Sequence, residues 1–345
     1  MKTHLGLVLL FLFPGMLSAQ EFFEGIPRDT SFTVWSAYRQ EIQKYPRIRI
    51  VPLVIPAGIV VKQDIVYSVL SDTPYGRREL HLDIYRPDNR LAYPALLMIH
   101  GGGWNSGDRS MEAPMAAALA TRGYVCIPVE YRLSPEALYP AAIYDVKAAI
   151  RWVRAHAADL GIDPNRIAVS GDSAGGLLAD LAGATNGNPH YEGEGGYSHI
   201  PSTVQAVVDL DGVADLAVPA RTERARKARE AGRELPGDAR WLGGTYEESP
   251  AVWQAVSPAR QLSLASAPVC FINSSNRDHP GLTVQVGRMK ALDIPYELHT
   301  IPDTPHPFWL FDPWFGPTIE LMAAFLCKTF GSDLSSSPPH SAVKP

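Results

Sequence analysis

Beyond an N-terminal arm, FTVWSAYRQEIQKYPRIRIV with one short helix, the chain alternates between short apolar runs and amphipathic stretches. VVKQDIVYSVL and LHLDIYRP read as the first two strands. Strand PALLMI, the alanine-rich helix MEAPMAAALATRG, strand YVCIPVEYR and the long amphipathic helix PAAIYDVKAAIRWVRAHAADLG follow. Next come strand RIAVS, a helix at GGLLADLAGAT, a Gly-rich loop to about Ser198 and strand VQAVVDLDG. Strand APVCFINSS, helix GLTVQVGRMKAL, strand PYELHTI and helix TIELMAAFLCKTF complete the series. Strands alternating with helices predict an α/β protein with a mostly parallel sheet of about eight strands, covered by helices on both faces.

Two segments interrupt this rhythm. From Leu216 to about Glu248 a charged insertion carries RTERARKAREAGRE, whose mixed charges at helical spacing mark a solvated helix face. Its place in the order predicts a small cap over the carboxyl edge of the sheet, where open α/β folds bind ligands. Residues 1–19, with a basic start, an apolar run from Leu5 to Phe13 and small residues before a cut, read as a signal peptide. That run falls short of the roughly 20 residues a membrane span needs. Residues 20–331 then form a single domain, residues 332–345 a disordered Ser/Pro-rich tail, and the mature protein is expected in the periplasm or outside the cell.

Composition narrows the chemistry. The 345 residues are 46% hydrophobic, enough for a substantial core, and the formal net charge of -5 gives no reason to expect nucleic acid or a membrane surface as partner. A small or oligosaccharide-sized ligand fits better, and the oligomeric state stays open. Cys126, Cys270 and Cys327 each sit in an apolar run and read as buried free thiols. No CxxC, HExxH or His/Cys cluster suggests a metal, and no cofactor is expected.

The sharpest local signal is Gly171-Asp172-Ser173-Ala174-Gly175, a G-x-S-x-G between an apolar strand and a helix. A serine Oγ becomes a useful nucleophile when a tight strand-to-helix turn projects it, and flanking glycines remove the Cβ atoms that would clash there. Upstream, His100-Gly101-Gly102-Gly103-Trp104 follows strand PALLMI. Its backbone N–H groups at Gly101 and Gly102, with that of Ala174, are candidate donors to an oxyanion. The His100 ring would order the loop.

With HGGGW and GDSAGG in this order, the chain resembles the α/β-hydrolase fold from about Gln63 to Phe330, specifically the hormone-sensitive-lipase-like serine esterases. HYEGEGGYSHIPSTVQAVVDLDG, WLGGTYEESPAVWQAVSPA and PDTPHPFWLFDPWF are similar to carbohydrate esterases related to acetyl esterases of pectin, xylan and xanthan. That resemblance implies removal of O-acetyl groups from sugars.

The base of such a site follows the last core strand, in the order Ser, acid, His, and His306 is the histidine that qualifies. For the acid, Asp278 lies in the loop after APVCFINSS, although the family's G-x-x-D pattern is absent there and the usual slot falls nearer Asn276. Asp303 stands in D-x-x-H spacing before His306, as in SGNH hydrolases, and equally suits a turn before Thr-Pro. Either could accept the Nδ1–H bond. Phe308, Trp309, Phe311, Trp314 and Phe315 read for the most part as core beside the last helix, while Trp104 and one or two of that set, Trp309 first, are candidates to line a substrate pocket. The expected activity is hydrolysis of short-chain esters on carbohydrate through an acyl-enzyme. The alternatives are a general short-chain carboxylesterase and an inactive binding module of the same fold.

Overall fold

A computed structural model describes residues 20–23 and 25–331, so the leader and the tail read from the sequence lie outside the described residues. Eight strands form one sheet: β1 (Ile59–Thr73), β2 (Gly76–Pro87), β3 (Tyr93–Ile99), β4 (Val125–Val129), β5 (Ile162–Asp172), β6 (Ala206–Leu210), β7 (Val269–Ser274) and β8 (Tyr296–Ile301). Their order across the sheet is β1-β2-β4-β3-β5-β6-β7-β8. β1 and β2 form an antiparallel pair and β2 meets β4 antiparallel, while every pairing from β4 to β8 is parallel.

Every residue of β4, β6 and β7 is buried, as strands covered on both faces must be. Alternate residues feed two apolar layers. Leu97, Val169, Val207 and Phe271 point toward α3 (Ala141–Ala155), α4 (Ala174–Ala184) and α6 (Leu282–Ala291). Leu96, Met98, Ala168 and Val208 point the other way, toward α2 (Ala113–Ala120) and α7 (Phe315–Phe330). Cys126 and Cys270 are buried free thiols as expected, but Cys327, on α7, is only half-buried.

Two peripheral pieces reach the carboxyl edge of the sheet. The N-terminal arm carries α1 (Val34–Glu41) and then a two-residue strand in which Ile50 pairs with Phe311 and Arg49 with Asp312. The segment that follows β8 is thereby held by the arm. The insertion forms α5 (Pro219–Glu230) and a short helix Gly237–Trp241. On α5, Arg221 and Arg224 both bind Asp238 of the short helix, and Arg226 pairs with Glu223 and Glu230 along its own face. Trp241 at the end of that helix is fully buried against Trp104.

Candidate active site

Ser173 sits where β5 turns into α4, at φ 52° and ψ −111°, a conformation that costs a non-glycine residue about 1–3 kcal/mol. The turn closes because residues 171 and 175 are glycines. A Cβ on Gly171 would collide with the Gly175 carbonyl, and one on Gly175 with the Ile99 carbonyl at the end of β3. Ser173 N–H donates to Leu210 O at 2.8 Å, which ties the turn to the end of β6.

His306 faces this turn from the loop after β8. Its Nε2 lies 2.7 Å from Ser173 Oγ and its Nδ1 lies 2.6 Å from Asp211 Oδ2. This pattern suits a neutral ring that accepts the serine proton at Nε2 and donates Nδ1–H to a carboxylate. Burial pushes the His306 pKa below its ordinary value; the Asp211 bond opposes this and the charge of Arg277 adds to it.

The carboxylate that meets His306 is therefore Asp211, on the residue after β6, and neither Asp278 nor Asp303. Asp211 is fully buried at φ 57°, and its oxygens accept from Ser274 N–H at 2.8 Å and Ser274 Oγ–H at 2.7 Å. Burial alone would raise its pKa, but the bonds from His306 and Ser274 hold it below the usual carboxylate range. Asp278 and Asp303 are both exposed. Asp303 lies in a left-handed turn, φ 51°, on the wall of a cleft of ≈ 700 Å³ that also includes Lys44, Tyr45 and Trp314. Asp278 follows Arg277, and it is the Arg277 side chain that reaches His306 from that loop. The sequence did hold a signal for Asp211: a carboxylate ending an apolar strand, followed by Gly212, at the sheet edge where ligands bind.

The HGGGW loop lies against the same turn. A Cβ on Gly101 would fall 3.2 Å from Ser173 Cβ, and Trp104 Nε1–H donates to Ala174 O at 3.1 Å. Gly101, expected as an oxyanion donor, is already engaged: its N–H donates to Asp172 Oδ2 at 3.0 Å. Burial, with Glu112 beside it, pushes the Asp172 carboxyl well above its usual range. The N–H groups of Gly102 and Gly103 have no acceptor among the described residues, and Ala174 N–H belongs to the first turn of α4, where no intrahelical acceptor exists. The open donors are thus Gly102, Gly103 and Ala174. His100 does order the loop: its ring stacks on Tyr131 at 4.5 Å, and Nδ1 lies 2.8 Å from Gly101 O.

The two tryptophans expected to line a pocket are buried instead. Trp104 is 5% exposed and stacks on Trp241 with ring centroids 4.5 Å apart, and Trp309, 2% exposed, meets the His306 ring edge-on at 5.2 Å. They shape the site from behind. Phe308 and Phe311 are core residues, whereas Trp314 and Phe315 of the same cluster are half-buried against that core.

One group among the described residues brings metal-type donors together: Cys270, Glu297 and His299 have ligand atoms within 4.8 Å of one another. It lies toward the amino ends of β7 and β8, away from Ser173, and Glu297 is already paired with Lys328 and His299.

The BD-FAE family model matches residues 82–285. Esterase LipC of Mycobacterium tuberculosis is 33% identical over 258 residues, 71% of this chain and 61% of LipC. The chain spans less than two thirds of the length of the first curated relatives it matches. Among solved structures, a truncated carbohydrate esterase from gut microbiota superposes with a TM-score of 0.63 at 27% identity, covering 78% of this chain and 96% of that one. The propionate-bound esterase Est2 of Thermogutta terrifontis gives a TM-score of 0.62 at 28% identity, covering 79% and 94%.

Proposed function

The chain belongs to the BD-FAE family of α/β-hydrolases, and from that premise we propose that it is an exported serine esterase that removes short acyl groups, acetyl foremost, from carbohydrate. The observation that carries the reading is the unbroken relay from Ser173 Oγ through His306 to Asp211. Ser173 Oγ attacks the ester carbonyl while His306 Nε2 takes its proton. Asp211 holds the ring by Nδ1 and stabilises the imidazolium that results. The carbonyl oxygen becomes an oxyanion facing the N–H groups of Gly102, Gly103 and Ala174, a type of donor worth roughly 3 kcal/mol each.

As the tetrahedral centre collapses, His306 returns the proton to the departing alcohol oxygen, leaving the acyl group on Ser173. Water then attacks the acyl carbonyl with His306 again as base, and the carboxylic acid leaves. No cofactor is required by these steps. Support for a carbohydrate substrate comes from the likeness to a carbohydrate esterase, and support for a short acyl group from the likeness to an esterase solved with propionate. Support for export is the leader-like segment at residues 1–19.

The test is Ser173→Ala, assayed on an aryl acetate and on an acetylated oligosaccharide. A fall of roughly 10⁴-fold or more in kcat, with the circular dichroism and melting temperature unchanged, is expected. A folded variant that keeps its activity would remove Ser173 as nucleophile. A wild-type protein that hydrolyses neither ester would favour the binding module.

A further inference from the structure

Arg277 stands in the site without an assigned role. Its Nη1 lies 2.5 Å from His306 Nδ1 and 2.7 Å from His306 Nε2. Both ring nitrogens already have partners in Asp211 and Ser173, and an atom that close to both lies over the ring face rather than in its plane. Nη1 also donates to the Asp211 backbone carbonyl at 3.2 Å. The nearest carboxylate oxygen, Asp211 Oδ2, is 4.0 Å away and is committed to His306 and Ser274, with His279 Nδ1 3.5 Å from the other oxygen. Asp211 and Asp209 act on the guanidinium by charge, but among the described residues no carboxylate oxygen lies within hydrogen-bond distance of it.

Its remaining edge is open. Nε and Nη2 make no hydrogen bond among the described residues, and about a quarter of the side chain (26%) is exposed. The Nε–Nη2 edge of an arginine presents two parallel N–H groups that match the two oxygens of a carboxylate. Here that fork belongs to a side chain whose Nη1 touches the His306 ring, in the loop where the sequence lacks the family's usual acid.

We propose that Arg277 is a specificity-determining residue that selects esters carrying a carboxylate close to the scissile bond. The inference rests on the esterase reading and narrows its substrate class. It also links binding to turnover. With a neutral substrate the cation stays over the imidazole and opposes the imidazolium that must form; a substrate carboxylate draws the guanidinium away and neutralises it. Anionic substrates therefore gain in kcat as well as in KM.

A carboxylate can come from the alcohol, as in a uronic-acid unit acetylated on a neighbouring hydroxyl, or from the acyl group, as in the half-ester of a dicarboxylic acid. Two matched pairs separate the sources: an O-acetylated methyl uronate glycoside against its neutral hexoside, and an aryl hemisuccinate against the aryl butyrate. In at least one pair the wild type is expected to favour the anion by about 10- to 100-fold in kcat/KM, the worth of a charge-assisted pair. Arg277→Gln should remove that preference, and Arg277→Lys, which keeps the charge and loses the fork, should restore part of it.

A pH profile supplies a readout that a purely structural arginine would not move. His306 is faced by Asp211, Arg277, His279 and Ser173, and the Arg277 charge lowers its pKa. In Arg277→Gln the acid limb of kcat/KM on a neutral aryl acetate should shift to higher pH. Equal rates within both pairs, or a preference that survives Arg277→Gln, would overturn the inference. Hydrolysis of the neutral esters without anionic preference defeats this inference alone, whereas no hydrolysis of any ester defeats the esterase reading with it.

Discussion

Asp211 and His306 meet although 95 residues separate them, because β6 and β8 both end on the edge of the sheet where Ser173 turns into α4. An acid at that position has a simple requirement: it must aim a carboxylate at Nδ1 from a rigid support. Asp211 meets it through Ser274, which donates by both its N–H and its Oγ–H, and through its own N–H, which donates to Ile272 O at 3.0 Å. Asp211→Asn should therefore lower kcat by about 10⁴-fold, since an amide stabilises neither the correct tautomer nor the imidazolium. Asp278→Asn and Asp303→Asn should each change kcat by less than about 3-fold, as expected of exposed side chains outside the relay. A large loss in either one, with a small loss for Asp211→Asn, would reverse the assignment. Ser173 and His306 were legible in the sequence because a local motif and chain order define them. The acid was not, since Asp278 and Asp303 occupy plausible loops and only the convergence of β6 with β8 shows which carboxylate reaches the ring. That Gly101 N–H is engaged was not legible for a related reason: its bond to Asp172 joins positions 71 residues apart.

At the level of elements, the strand and helix alternation was legible because each core strand is a short apolar run between helical periodicities. Docking of the insertion and of the N-terminal arm was less so, because it depends on a few contacts. The insertion meets the HGGGW loop by the stack of Trp241 on Trp104, with planes 2° apart, and by Gly237, which packs beside Gly103 and Asn105. Trp104 in turn bonds to Ala174 O, beside the nucleophile. Removing the Trp241 ring opens a cavity directly behind the loop that supplies Gly102 and Gly103. Trp241→Ala should cost about 3–5 kcal/mol of stability, and kcat should fall as well because the oxyanion donors lose their support. Trp241→Phe, which keeps an aromatic face, should recover much of both. Thermal unfolding and steady-state kinetics on the same samples would check this. A destabilised Trp241→Ala that retains full kcat would reduce the insertion to a roof without influence on the donors.

Across the described residues, the buried acids whose pKa is displaced include two groups with opposite consequences for stability. Asp211 and Glu130 are held below their ordinary pKa by hydrogen bonds and cations, so their stabilisation is present above the unfolded pKa and is lost as pH falls. Asp172, Asp209 and Asp180 are pushed up by burial. Asp180, on helix α4 that follows Ser173, reaches about 7; its Oδ2 accepts from Gln285 Nε2 at 2.6 Å, while Oδ1 has no hydrogen-bond partner among the described residues. A carboxyl whose folded pKa lies above its unfolded one destabilises nothing below the unfolded value. Its cost grows as pH rises from about 4 toward 7 and is complete beyond that. A rise of about three pKa units sets a ceiling of roughly 4 kcal/mol, and each kcal/mol moves the melting temperature of a domain this large by about 2–4 °C or less. Asp180→Asn keeps an acceptor for Gln285 and cannot ionise. It also removes a charge that raises the pKa of Asp209, so both effects act in one direction. The variant should melt close to wild type near pH 4 and several degrees higher near pH 8, with the two curves separating in between. Parallel curves across that range would mean that Asp180 does not ionise there, and that other buried acids set how the fold responds to pH.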